Sequence, residues 1–489
     1  MEVSEQARPA PAVEGNTEGR EKRGILDRIG FWFFVTMLVL APVPDGSVVL
    51  LWIQVWTFFA AITVLLLNCS GVSRGAALLV VGLVFVLAAY ALVAWLQSVS
   101  PGPAPLAIWS EAGKILDVEI APRSGSVLHA PLLFLGRPLL AALVLTAGIV
   151  IGTNRRRAWI VLRAIVGAAC LYGLIGFLGF VIDSDSLRPF DQGGALTTFF
   201  LNKNTTATYL GSAFLIVFAM LLPTVLAAVR ERRPLIGLFR GEGGPHRIIV
   251  VSGGLLLLVL LPLTLSRAGL MLTVVLAMAC VALKLRLRKR AAFWKVSLGI
   301  AVLFSFVYAL SGEGWRERQA RVGFDSLGRL DAYGMMLDAV ASRPLLGYGL
   351  GSFTESFPQF RTEALGTSAV FDIGHSTPIE LIFEGGYPLA VLVFAYVLVC
   401  CAVMIRGAML RPDDPYILAA LLVGLLGLLH TSFDFPLQIP GFLIIYLAVV
   451  GMGLGRSFLP REERVVMKRV VRRPPPAAAP PAGDPSPAA

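Results

Sequence analysis

Histidine is scarce in this sequence, with four residues in 489, and charge is scarce as well, since Asp, Glu, Lys and Arg together make up 15%. A soluble domain is usually about 25% charged, so an ordinary water-exposed surface is excluded. Cysteine offers little more. Cys69, Cys170, Cys280, Cys400 and Cys401 lie inside or beside apolar runs with no CxxC pair. That leaves neither a disulfide framework nor a cysteine metal site, and the thiols read as small core hydrophobes. What fills the chain is apolar: 56% hydrophobic residues and a mean hydropathy of +0.76. This is the composition of an integral membrane protein.

A net charge of +11 and a pI near 9.7 raise the question of nucleic acid. The basic residues, however, fall in short clusters between apolar runs, the cytoplasmic-loop signal of a polytopic chain. They indicate topology, and the partner they imply is the lipid bilayer, not nucleic acid.

Apolar runs near the ~20 residues that a bilayer needs predict an all-α protein with about twelve transmembrane helices. These spans cover roughly 30–43, 48–68, 75–97, 136–153, 157–182, 204–229, 248–266, 268–285, 293–310, 377–405, 416–433 and 436–455. Residues 1–28 are polar, charged and aromatic-free, which predicts a disordered cytoplasmic tail. The run FWFFVTMLVL that follows has no small-x-small cleavage pattern after it and reads as an uncleaved first span. The membrane domain is then 29–455, and 456–489 form a basic, then Pro/Ala-rich tail.

With the N-terminus inside, NRRR (154–157), RERRPLIGLFRGEGGPHR (230–247), KLRLRKRAAFWK (284–295) and RGAMLR (406–411) all fall on the cytoplasmic side, as the positive-inside rule requires. Both termini are then cytoplasmic. The opposite side carries the long connections 98–135, 183–203 and 311–376. The last, between spans 9 and 10, has no lysine, six arginines and eight acidic residues. Connections this long are usually functional, so the chemistry is expected on that outer face.

Ionisable groups at the outer ends of the spans are the candidates. In GHSTPIELIFEGGY (374–387), TPIE matches a capping box with Thr377 at the N-cap and Pro378 next, so Glu380 has a structural explanation. His375 stands on the loop side, where it is either a solvated loop residue or a catalytic base, since imidazole titrates near neutral pH. Glu384 shares a helix face with Glu380 and lies deeper, where a lone charge costs about 2.5–3.5 kcal/mol. Gly385, Gly386 and Pro388 then predict a break that lines a cavity.

Arg267, in TLSRAGL (264–270), stands between two apolar runs on the side where the positive-inside bias does not explain it. It is either a snorkelling side chain or a fork of donors for phosphate. Arg329, ahead of a helical stripe of Tyr333, Met336, Leu337 and Val340, is either a helix-face charge or a second clamp. GYGLG (347–351) lacks the βαβ context of a dinucleotide loop. FFLNKNTTATYLG (199–211) puts Asn202, Lys203 and Asn204 at one outer mouth, and LLHTSFDFPLQIP (428–440) puts His430 and Asp434 at another. Either is a cap, an anchor or a supporting site group.

The order of these motifs resembles the O-antigen ligase and polymerase superfamily of bacterial membrane glycosyltransferases over most of residues 30–455. The resemblance implies a GT-C-type helical architecture in the bacterial inner membrane. It also implies transfer of a glycan from an undecaprenyl-diphosphate carrier to an acceptor sugar at the periplasmic face, without a metal ion or other cofactor. The acceptor would be lipid A-core for a ligase or a growing glycan for a repeat-unit polymerase. By motif match, His375 would activate the acceptor hydroxyl, and Arg267 and Arg329 would hold the diphosphate. Glu380, Glu384, Asn202, Asn204 and Asp434 are supporting candidates. Many relatives carry Asn where this chain has Ser376, which bears on one side-chain contact. A lipid-linked glycan flippase is the competing class, but its ionisable groups would gather at the bilayer midplane of repeated halves. Here they gather at one face.

Overall fold

The computed structural model describes residues 15–182, 194–240, 244–285, 313–362, 365 and 372–459. Among them the structure is helical, without strands. The helices are α1 (Gly15–Leu40), α2 (Leu50–Leu66), α3 (Arg74–Ser98), α4 (Ala107–Leu116), α5 (Ala130–Phe134), α6 (Gly136–Gly152) and α7 (Arg155–Val181). They continue with α8 (Lys203–Arg230), α9 (Gly244–Leu263), α10 (Arg267–Leu285), α11 (Glu313–Ser342), α12 (Thr377–Leu410), α13 (Pro415–Thr431) and α14 (Pro440–Ser457).

Eight helices are long and apolar enough to cross a bilayer. Two more, α2 and α13, are apolar at 17 residues each, about one turn short of the usual ~20. Helices stand at eleven of the twelve expected spans, and the remaining one, 293–310, lies outside the described residues. Two boundaries differ from the sequence reading. The first helix starts at Gly15, inside the segment expected to be an unstructured tail. Elongating a helix already nucleated by its apolar half adds one bond per residue, and Asp27 is tied down by Arg157 and by the Asn68 amide, at 2.9 Å. The helix expected within the 311–376 connection also begins earlier than its apolar stripe, since α11 runs for 30 residues from Glu313.

The bundle is built around α14, buried along most of its length. Its Gly451 and Gly455 face Gly148 and Gly152 of α6, so two small-xxx-small stripes meet. A Cβ on Gly451 would lie 2.6 Å from the Leu145 carbonyl oxygen, and one on Gly148 2.8 Å from that of Ala448. Only glycine allows this backbone approach.

Connections sort to two ends. At one, Arg456 bonds Asp414 at 2.7 Å, Lys284 reaches the Pro412 carbonyl, and Trp159 packs on His246. The basic clusters thus share an end. At the other, the Leu196 amide donates to the Leu263 carbonyl at 2.8 Å and the Ser126 amide to that of Tyr348 at 2.9 Å. Gly46 there abuts Phe200 and Ile439.

Candidate active site

Helix α12 starts one residue earlier than the TPIE motif suggests. Ser376 is the N-cap and Thr377 already lies in the helix; the Thr377 hydroxyl bonds the Thr431 hydroxyl at 2.8 Å instead of capping. Glu380 still reaches back. Its Oε2 accepts from the Gly374 amide at 2.7 Å, and its carboxylate also bonds the Gln438 side chain. The capping box has moved outward, and it now closes the loop that carries His375.

That loop is held in an uncommon shape. His375 has φ +53°, in the left-handed region where a non-glycine residue costs on the order of 1–3 kcal/mol and persists only when its surroundings fix it. They do so through the Tyr333 hydroxyl, which donates to the His375 carbonyl at 2.7 Å, and through Phe435, whose ring meets the imidazole edge-on at 5.2 Å. The half-buried imidazole is therefore aimed by backbone anchors. Tyr333, which the sequence placed in a packing stripe, has this second task.

Phe435 links His375 to a polar knot. The neighbouring Asp434 is 1% exposed and accepts from Asn204 Nδ2 at 2.6 Å and from the Phe435 amide at 2.8 Å. Arg329 Nη1 stands 3.8 Å from Asp434 Oδ2 and donates to the Phe433 carbonyl at 3.2 Å. The Arg329 side chain keeps 32% of its surface exposed, so its position is fixed while donors remain available. Asn202 serves as N-cap of α8, its side chain accepting from the Asn204 amide at 2.6 Å. His430 points into the bundle, where Nδ1 meets the Thr208 hydroxyl at 2.7 Å.

Arg267 opens α10, next to Leu265 at φ +53°, with the Ser266 hydroxyl capping the Gly269 amide at 3.3 Å. Gly269 lies against Ala207, one turn beyond Asn204, so Arg267 is at the mouth of α8. His375, Arg329, Asp434, Asn204, Asn202 and Arg267 thus gather at one end of the bundle.

Glu384 is on the other flank of the His375 loop. It is 4% exposed, and the Phe353 amide donates to its Oε1 at 3.0 Å. Beyond it α12 breaks at Gly386, φ 76° and ψ 171°, and the GYGLG turn fills the break. The Tyr348 amide donates to the Phe383 carbonyl and the Gly349 amide to that of Glu384, each at 3.0 Å. A Cβ on Gly386 would lie 2.5 Å from the Leu345 carbonyl oxygen. The freed helix carbonyls are satisfied by protein, as backbone at membrane depth must be.

Three residues that sequence reading missed complete this side. Gln97 donates to the Leu346 and Glu384 carbonyls at 2.6 and 2.8 Å and accepts from the Leu350 amide at 2.9 Å. Arg343 bonds the carbonyls of Gly347, Ala104 and Ser124. Arg137 lines a cavity with Glu380, Glu384 and Gln438. Arg137 carried a signal, since a lone arginine at a helix end away from the basic clusters is the anomaly that singled out Arg267. Among the described residues no three His, Cys, Asp or Glu side chains gather as metal ligands.

No curated protein matches the chain. The family model described as O-Antigen ligase matches residues 253–394. That stretch runs from α9 through Arg267, Arg329 and His375 to just past the break in α12, and over these residues the chain is similar to the O-antigen ligase family.

Proposed function

We propose that the protein is a glycosyltransferase that moves a glycan from an undecaprenyl-diphosphate carrier to an acceptor sugar at the periplasmic face of the bacterial inner membrane. We assign it as an O-antigen ligase with lipid A-core as acceptor. The observation that carries this reading is the fixed loop at His375, with a half-exposed arginine on one side and a polar cavity on the other. A hydroxyl is a poor nucleophile, so a positioned base must take its proton as the new glycosidic bond forms. His375 is that base. The bond from the anomeric carbon to the phosphate oxygen breaks, and its electron pair leaves with the lipid diphosphate. Guanidinium forks stabilise that growing charge in a partly dry site, the role of Arg329 and Arg267. Asp434 and Asn204 hold Arg329 in place.

Orientation is tested by labelling. A cysteine at Thr354, exposed beside the site, should react with a membrane-impermeant maleimide in cells with a permeabilised outer membrane. Native Cys69, exposed at the opposite end, should react only after lysis. The reverse pattern puts the site in the cytosol and ends the proposal. The acceptor is read from a deletion strain: full-length glycan stranded on the lipid carrier indicates a ligase, whereas surface lipopolysaccharide capped with a single repeat unit indicates a polymerase.

A further inference from the structure

A cavity of about 340 Å³ lies between the start of α2, residues 130–137, residues 351–354 and the N-terminal end of α12. A second, of about 170 Å³, adjoins it toward Tyr90 of α3 and Leu443 of α14. The two share Phe134, Arg137, Glu380, Glu384 and Gln438. The larger one is also lined by Asp372 and Ile373, the residues that lead directly into Gly374 and His375. The loop carrying the imidazole is therefore part of the cavity wall, held there by the bond from the Gly374 amide to Glu380.

The chemistry of this wall differs from that on the other flank. Arg137 is outnumbered by Glu380, Glu384 and Asp372, so even with two of the three acids protonated the wall carries no net positive charge. A diphosphate would meet carboxylates there and is not its ligand. Hydroxyl groups are. The carboxylates accept from O–H, the Gln438 amide and Arg137 donate to ring and hydroxyl oxygens, and Phe134 and Phe353 offer apolar faces to C–H groups. The volume is at the lower end of ligand pockets and holds roughly one or two pyranose rings.

We infer that the cavity bounded by Arg137, Glu380, Glu384 and Gln438 is the binding subsite for the acceptor saccharide, a neutral hydroxyl-rich ring presented to His375 from the flank opposite Arg329. This rests on the glycosyltransferase reading for the word acceptor, but saccharide binding can be measured without turnover. Glu384 hydrogen bonds the Phe353 amide and so also fixes one wall of the subsite.

The test uses the full chain in lipid nanodiscs with two probes: the oligosaccharide of deacylated lipopolysaccharide from the source bacterium, and inorganic pyrophosphate. Leu50, 39% exposed where it lines the cavity, is replaced by Trp to narrow it, and Glu384→Gln removes a carboxylate without changing shape. Each variant should bind the oligosaccharide at least tenfold more weakly, with pyrophosphate affinity unchanged. Where transfer is measured, KM for acceptor should rise and KM for donor should not. Wild-type saccharide affinity in a Leu50→Trp protein of unchanged melting temperature overturns the inference, whether or not Glu384→Gln folds. So does loss of pyrophosphate binding in place of saccharide binding, or a wild type that binds no oligosaccharide. Cavity-dependent saccharide binding in a chain that transfers nothing keeps the subsite and refutes the enzyme.

Discussion

His375→Ala lowers the rate of glycan transfer by about 10²- to 10⁴-fold, the usual contribution of a positioned general base, and leaves the amount of protein in the membrane unchanged. Chemistry and folding separate here because two contacts that fix the loop run through backbone atoms. The Tyr333 hydroxyl bonds the His375 carbonyl, and the neighbouring Gly374 amide bonds Glu380; alanine keeps both. What is lost is the imidazole and its edge contact with Phe435. The readout is transfer in nanodiscs, with membrane insertion of the variant measured alongside. His375→Asn, which tolerates the left-handed conformation, should be as inactive as the alanine variant. Arg267→Ala should also lose transfer, but through the leaving diphosphate, with a loss on the order of 10²- to 10³-fold. Wild-type turnover by both His375→Ala and Arg267→Ala refutes the site.

The sequence made the spans legible for a simple reason. A helix in lipid must satisfy its backbone internally and present apolar side chains over ~20 residues, so hydropathy alone located the described spanning helices to within a few residues, apart from the early start of α1 at Gly15. It also made one flank of the site legible. Polar groups at these helix mouths share one end of the bundle, which is how Arg329 and Asn204, far apart in the chain, both come to meet Asp434. The other flank was hidden. Gln97 works on residues about 250 positions away, and nothing local marks such a pairing. The break at Gly386 was readable as a break, but the loop that fills it was not, because GYGLG shows its function only through backbone amides. The cap failed by one residue for a tertiary reason: the Thr377 hydroxyl is engaged by Thr431, and Ser376 takes the cap position.

Gln97→Leu should be the most destabilising single substitution on this flank. Gln97 is 1% exposed, and its side-chain amide uses both ends, donating to the Leu346 and Glu384 carbonyls and accepting from the Leu350 amide. Leucine has nearly the same volume, so the change leaves no large cavity and isolates the polar loss. It strands three buried backbone groups, each worth about 1–3 kcal/mol when left without a partner. The Glu384 carbonyl keeps its bond from the Gly349 amide, which reduces the sum, so a loss of about 3–6 kcal/mol is expected. The damage should be local first. Leu346 and Leu350 belong to the turn that plugs the break in α12, so freeing them should expose residues 344–351 to protease and to amide exchange before the bundle melts. Transfer should fall with it, because Glu384 and the cavity wall depend on the same turn through the Phe353 amide. Gln97→Glu, similar in shape but without the two N–H donors, should be nearly as damaging. A Gln97→Leu protein with wild-type melting temperature and an uncleaved 344–351 segment would mean that water or local rearrangement satisfies these groups, and the plugged break would lose its role as the rigid support of the site.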